Sequence, residues 1–169
     1  MNKMLFDISV IIPFRYDPEL PYLIERLAEQ CNIFSSEKNV EFIVVDSGSP
    51  KKYQADVEAL CSANGISYVY HESAGQKFSI GEARDFGVEH ARGRLVSFLD
   101  VDLRVEPGFW GRLIDFSKSF GVFEFKRSFF VIPCLYLSPE GSSDFYKYSE
   151  DGEGFFIRLI FLTFVVKKA

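Results

Sequence analysis

Residues 8–13 read Ile-Ser-Val-Ile-Ile-Pro, a run of apolar and β-branched side chains with almost no polar alternation. A strand buried on both faces has this pattern, whereas a strand with one wet face alternates apolar and polar residues. FIVV at 42–45 and LVSFL at 95–99 repeat it, and Ser67 to Tyr70 supplies another strand between them. Helical signals fill the gaps. Asp17-Pro18 reads as N-cap and first helical residue, followed by Leu20, Leu23, Ile24 and Leu27 at helical spacing. Ser49-Pro50 reads the same way ahead of Tyr53, Val57, Leu60 and Cys61, and Asn64-Gly65 ends that helix. Ser79-Ile80-Gly81-Glu82 is a capping box that opens a helix running to about Ala91, with Gly93 beyond its end. Pro107 starts a helix through Trp110, Leu113 and Ile114 that Gly121 stops. Strand and helix alternate, which predicts an α/β fold with a mainly parallel sheet and helices on both faces.

Composition narrows the function. The 169 residues fit one domain or part of a larger one, and 47% apolar with 25% charged residues excludes wholesale disorder. The 19 basic residues are outnumbered by 24 acidic ones, so a nucleic-acid coat is not expected. Cys31, Cys61 and Cys134 form no C-x-x-C pair, which excludes a zinc knuckle or redox dithiol and suits a reducing cytoplasm. The N-terminus has no apolar core of a secretory signal. The longest apolar run, Phe155 to Val166, is 12 residues interrupted by Arg158 and Thr163. A membrane span needs about 18, so the run reads as core strand or helix; Lys167 and Lys168 behind it allow a peripheral contact with a membrane surface.

In an open parallel sheet, ligands sit outside the carboxyl ends of the strands. The residues expected just past those ends are Pro13, Phe14 and Arg15; Asp46, Ser47, Gly48 and Ser49; His71 and Glu72; and Asp100, Val101 and Asp102. Asp100-Val101-Asp102 is the sharpest of these. Two carboxylates two residues apart repel unless a cation or ligand donors compensate them. Hard divalent ions commonly pair one or two carboxylates with substrate phosphates, which points to Mg²⁺ or Mn²⁺ with a nucleoside diphosphate. The alternative is a turn in which Asp side chains cap backbone N–H groups. Arg84 falls in the second turn of the helix that Ser79 opens, where anions are favoured and a guanidinium can grip phosphate oxygens. Its alternative is a surface pair with Asp85 or Glu89. His90, late in a helix, reads as structural, and His71 as a loop residue that could reach the site. G-x-G-x-x-G after the first strand, G-x-x-x-x-G-K-[ST] and G-x-S-x-G are all absent from the sequence. A Rossmann dehydrogenase, a P-loop nucleotidase and a serine hydrolase are disfavoured accordingly.

ISVIIPFR, EFIVVDSGS and FSIGEARDFGVEHARGRLVSFLDVDL, in that order over about residues 7 to 120, resemble the nucleotide-sugar-binding half of family 2 glycosyltransferases. The last stretch is most similar to the capsular polysaccharide and chondroitin-polymerase type. The resemblance implies the GT-A fold, a Rossmann-like sandwich with a mainly parallel sheet. It implies a donor-binding subdomain at 1–121 and a partial acceptor-side segment at 122–169 that completes the sheet. By position, Pro13, Phe14 and Arg15 would flank the nucleotide base, and Asp46 would hydrogen-bond it, with Ser47 and Gly48 shaping the turn. Arg84 would contact the diphosphate. Asp100 and Val101 would lie near ribose and metal, and Asp102, with Asp100, would hold Mn²⁺ or Mg²⁺ as a DXD motif. Many relatives carry Asp-Asp-Gly-Ser where this chain has Asp46-Ser47-Gly48-Ser49, and Arg-Asn-x-Gly where it has Arg84-Asp85-Phe86-Gly87.

The implied reaction is metal-dependent, inverting transfer of a hexosyl or N-acetylhexosaminyl group from a UDP-sugar to a glycan or lipid-linked acceptor. Its setting would be surface polysaccharide synthesis, in the cytoplasm or at the inner face of the membrane. Relatives carry a carboxylate general base well downstream of the metal motif, but only 67 residues follow Asp102. Glu150 and Asp151 are weak candidates for that base, since Gly152 and Gly154 argue against a helix there, and the C-terminal part reads as truncated. Two other readings stand: a non-catalytic nucleotide-sugar-binding remnant, and an interaction module that docks through its apolar tail.

Overall fold

The computed structural model describes residues 5–34, 37–73, 77–103, 105 and 107–124, and the backbone of 164–166. Its elements are β1 (Phe6–Phe14), α1 (Tyr22–Phe34), β2 (Val40–Ser47), α2 (Lys51–Ala63), β3 (Ser67–His71), α3 (Ile80–His90), β4 (Gly93–Phe98), α4 (Phe109–Ser119), a single 3₁₀ turn (Val122–Glu124) and β5 (Phe164–Val166). The sheet order is β3-β2-β1-β4-β5. The first four strands are mutually parallel, and β5 pairs antiparallel with Leu95–Ser97 of β4. The remainder of the segment after Glu124 lies outside the described residues, and with it Cys134, Glu150, Asp151, Arg158 and most of the apolar run. Among the described residues no helix is long and apolar enough to cross a membrane.

The sheet has helices on both faces because β1 is apolar on both. Ile8, Val10, Ile12 and Phe14 share one cluster with Leu27, Cys31 and Phe34 of α1, Val57 and Cys61 of α2, and Trp110 and Ile114 of α4. Ile11 turns the other way and packs with Ile43, Val45, Val96 and Ala83 of α3. Burial pushes the Cys31 thiol up to about 11 and the Cys61 thiol up to about 12, so both are inert packing groups.

Three helix starts differ from expectation. Asp17 does not cap α1. Its Oδ1 accepts from the Glu19 N–H at 2.9 Å, and the Leu20 N–H closes a turn on the Asp17 carbonyl at 3.0 Å. Pro21 disfavours helical geometry at Leu20, so α1 waits until Tyr22. Ser49 does not cap α2: Pro50 takes the cap position without a side-chain bond, and the Ser49 hydroxyl serves the neighbouring loop instead. Pro107 lies in a turn, and Gly108, at φ +73°, holds the cap of α4. The Ser79 cap stands as read, accepting from the Glu82 N–H at 3.3 Å.

The approach of α3 to the sheet depends on Gly87. A Cβ there would run into Ile11 Cγ2 and lie 3.0 Å from Val45 Cγ2. Alanine would gain about 1 kcal/mol of helix propensity but overpack a close contact at about 1–3 kcal/mol. Gly87→Ala is therefore expected to destabilise the domain by about 1 kcal/mol in urea unfolding. A stabilised variant would show that α3 has room to spare.

Candidate functional site

Four parallel strands bring their carboxyl ends to one edge. The chain runs outward from β1 through β2 to β3, then returns to place β4 on the other side of β1. The crevice of such a sheet opens where the order reverses, between β1 and β4. The loops beginning at Arg15 and at Leu99 flank that point, and the Leu99 N–H still bonds the Ile11 carbonyl at 3.0 Å.

Past β4 the chain makes a turn, closed by the Leu103 N–H on the Asp100 carbonyl at 3.0 Å. Asp102 is exposed on it and has no side-chain partner among the described residues. Asp100 does have one: its Oδ1 accepts from an Arg84 terminal nitrogen at 2.7 Å, with both side chains about one-third exposed. The Arg84 guanidinium also lies 5.4 Å from the centre of the Phe98 ring, and its Nε is buried without a partner among the described residues. Arg84 thus faces the sheet edge rather than pairing with Asp85 or Glu89. The turn offers two carboxylates and only oxygen donors. Among the described residues no group of three or more His, Cys, Asp or Glu side chains could hold a metal. That donor set fits a hard divalent cation whose other ligands are water and phosphate, the usual arrangement for Mg²⁺.

Asp46 and Ser47 are the last residues of β2 rather than loop residues. Asp46 is fully buried, and both its oxygens are engaged. Oδ1 accepts from the Ser49 N–H at 3.0 Å and Oδ2 from the Tyr68 hydroxyl at 2.8 Å. Tyr68 pairs with Val44 across the strands, so it reaches Asp46 diagonally along one face. Burial first, and the Asp46 carboxylate second, raise the Tyr68 phenol above its ordinary value, so it remains a donor. Gly48 turns with φ +81°, and a Cβ there would collide with the Ser73 hydroxyl, so this turn needs glycine. The Ser49 hydroxyl then accepts from the Tyr16 N–H at 2.7 Å and ties the β2 loop to the β1 loop. Tyr16 stacks on Tyr53 at 3.6 Å between ring centres. Hydrogen bonds from Lys52 and from Tyr16 lower the Tyr53 phenol below its usual value.

The structure therefore places Arg15, Asp46, Ser47 and Gly48 at the ends of β1 and β2, and Arg84 of α3 with Asp100, Val101 and Asp102 at the turn after β4. Pro13 and Phe14 end β1 and are buried. His71 ends β3, with Nδ1 3.3 Å from the Ser47 hydroxyl and its ring 4.6 Å from Phe86. His90 donates from Nδ1 to the Phe86 carbonyl at 2.8 Å, a structural role. A cavity of about 390 Å³ beside β3 is lined by His71, Ser73, Phe86 and four acids, Glu72, Glu82, Asp85 and Glu89. That lining repels phosphate, which leaves the Arg84 side of α3 as the place for an anion. Tyr68, Ser73 and Gln30, a buried helix residue that reaches the 100–103 turn, were not singled out in the sequence. Of these, Gln30 left a signal, being polar within the apolar stripe Leu23, Leu27, Cys31 and Phe34.

Residues 9–167 match the family described as "Glycosyltransferase like family 2". Over 120 residues, 69% of this chain, the sequence is 32% identical to the minor teichoic acid biosynthesis protein GgaB of Bacillus subtilis (strain 168). Over 107 residues, 63% of the chain, it is 28% identical to the undecaprenyl-phosphate 4-deoxy-4-formamido-L-arabinose transferase of Shewanella sediminis (strain HAW-EB3). The matches cover 13% and 31% of those two proteins, so the chain spans well under half the length of either. In structure it is similar to S. aureus TarS 1-349 in complex with UDP-GlcNAc, with a TM-score of 0.59 at 18% identity, covering 79% of this chain and 36% of that one. It is likewise similar to the mannosyltransferase PcManGT of Pyrobaculum calidifontis in complex with GDP-Man and Mn²⁺, with a TM-score of 0.53 at 18% identity, covering 95% and 44%. The fold is that of the GT-A glycosyltransferases, and with the family match running through residues 9–167, the chain belongs to the glycosyltransferase-like family 2.

Proposed function

We propose that this chain binds the nucleoside diphosphate of an activated sugar, a UDP-sugar, as the donor-binding part of a metal-dependent, inverting glycosyltransferase in surface polysaccharide synthesis. The observation that carries the reading is the turn after β4. An exposed Asp102, with no side-chain partner among the described residues, sits two residues from an Asp100 already held by Arg84. Opposite charges are thus arranged at the mouth of the sheet's crevice, where a diphosphate with its cation would complete them. Family membership supports the reading, as do the nucleotide sugars in the TarS and PcManGT complexes.

In this reading Asp102 and Asp100 hold Mn²⁺ or Mg²⁺, and Arg84 turns its remaining donors to the diphosphate oxygens. The cation, when bound, offsets the charge on the departing diphosphate. Pro13, Phe14 and Arg15 border the base, which lies at the Asp46 end of the edge. Ser47 and Gly48 shape the turn there, and Val101 lies by the ribose. The donor carries a hexosyl or N-acetylhexosaminyl group, and the acceptor is a glycan or lipid-linked sugar. Residues 1–121 form the donor side and 122–169 the acceptor side. No general base for the acceptor hydroxyl is assigned among the described residues; Glu150 and Asp151, which lie outside them, are weak candidates. The chain works in the cytoplasm or at the inner face of the membrane.

Calorimetry tests the cation dependence. UDP is expected to bind in Mn²⁺ and to bind at least about tenfold more weakly in EDTA, where two carboxylates face the diphosphate uncompensated. Asp102→Ala should abolish the difference while moving stability by no more than about 0.5 kcal/mol, as for other exposed positions. Equal affinity in Mn²⁺ and EDTA would remove the metal from the reading.

Asp46→Asn separates base from phosphate. Asp46 is already engaged by the Ser49 N–H and the Tyr68 hydroxyl, so its effect on the base runs through the turn it fixes; losing a hydrogen bond to a charged acceptor, about 1.5–3 kcal/mol, caps that effect at about 10- to 100-fold in affinity. The variant should weaken UDP by up to that factor and leave pyrophosphate binding unchanged. Equal losses for the two ligands would show that Asp46 does not mark the base end.

A further inference from the structure

Gln30 is a polar side chain in the apolar stripe of α1. Leu27, Cys31 and Phe34 around it are buried, and Gln30 itself is only 3% exposed. Removing a primary amide from water is costly unless its groups find partners. Gln30 finds them 71 and 73 residues further along the chain. Its Nε2 donates to the Val101 carbonyl at 2.8 Å and also to the Leu103 carbonyl. The amide cannot be reversed, because its oxygen would then face two carbonyl oxygens. In the observed orientation Oε1 is buried without a partner among the described residues, so the two bonds to the turn outweigh that acceptor.

The two carbonyls have a particular place. The Val101 carbonyl belongs to the central peptide of the Asp100–Leu103 turn, and rotation of that peptide plane interconverts turn types. The Leu103 carbonyl follows one residue beyond Asp102. Fastening both fixes the backbone on either side of Asp102, whose own side chain is exposed and has no side-chain partner among the described residues. An apolar residue would fill the core at position 30 equally well, and would leave this turn untied.

We infer that Gln30 is a positioning residue: it locks the Asp100–Leu103 turn so that Asp102 meets a divalent cation and diphosphate in one orientation. The inference rests on the donor-site reading proposed above. The test uses the full chain with Gln30→Met, which keeps length and helix preference and removes both donors, and with Gln30→Glu, which removes the donors and stays polar. Calorimetry gives UDP affinity in Mn²⁺ and in EDTA, and circular dichroism gives the melting transition. Both variants are expected to melt cooperatively and to match the unsubstituted chain in EDTA. Their Mn²⁺-dependent gain should shrink towards none at a Mn²⁺ concentration that gives the unsubstituted chain its full gain, because losing a partner that orients a metal ligand weakens metal affinity by about 10- to 100-fold. An undiminished gain in either folded variant, an equal loss in Mn²⁺ and EDTA, or loss of cooperative melting in both would assign Gln30 to packing alone and overturn the inference. If the unsubstituted chain itself shows no Mn²⁺-dependent gain, the donor-site reading fails and the inference falls with it.

Discussion

A strand buried on both faces has no side chain free for chemistry along its length, so its function is confined to its ends. β1 is such a strand, with Ile8, Val10, Ile11 and Ile12 wholly buried between two helical layers. It also occupies the centre of the described sheet, with β2 on one side and β4 on the other. Because these strands are parallel, their ends share one edge, and because the order reverses at β1, a crevice opens there. Arg15, the Asp46–Ser49 loop and the Asp100–Leu103 turn are neighbours for that reason alone.

The edge is organised as two anchored groups. One is built on Asp46, whose carboxylate is held by Ser49 and Tyr68 while Ser49 in turn ties down Tyr16. The other is built on Asp100, held by Arg84, and on the turn that Gln30 fastens from α1. The first has its carboxylate fully buried and fixes backbone shape. The second is partly exposed and leaves one carboxylate open. A nucleotide sugar has the same division, with a base that is read by shape and hydrogen bonds and a diphosphate that is read by charge. Groups fixed before the ligand arrives lose less freedom on binding, which is the physical benefit of both anchors.

The parts legible in the sequence were those decided by local periodicity and composition. ISVIIP, FIVV and LVSFL announce buried strands because each is apolar over a strand length but for at most one serine, and Ser79 with Glu82 announces a helix start by short-range bonding. Asp100 and Asp102 stood out because paired carboxylates after an apolar strand need an explanation. What local pattern does not carry is competition between distant partners. Ser49 has the right type and position for a helix cap, yet its hydroxyl goes to Tyr16, 33 residues earlier. Asp17 is drawn into its own turn because Pro21 delays the helix. Arg84 is spaced equally well for a pair with Asp85 or Glu89, and only the packing of α3 on β1 and β2 brings it to Asp100. Tyr68 sits in a strand whose tyrosines look alike until pairing with β2 points one of them at Asp46. Gln30 is visible as a polar interruption of an apolar stripe, but its partners lie more than 70 residues away.

The central claim is that the edge between β1 and β4 holds a nucleoside diphosphate with its cation at Asp102. A crystal structure of the chain grown with UDP and Mn²⁺, with diffraction recorded at the manganese absorption edge, addresses it most directly. The account predicts an anomalous peak at the Asp100–Asp102 turn, bridged to the diphosphate, with Arg84 on the phosphate oxygens and the uracil at the Asp46 end. Manganese and UDP seated elsewhere, for example in the acidic cavity beside β3, would contradict it.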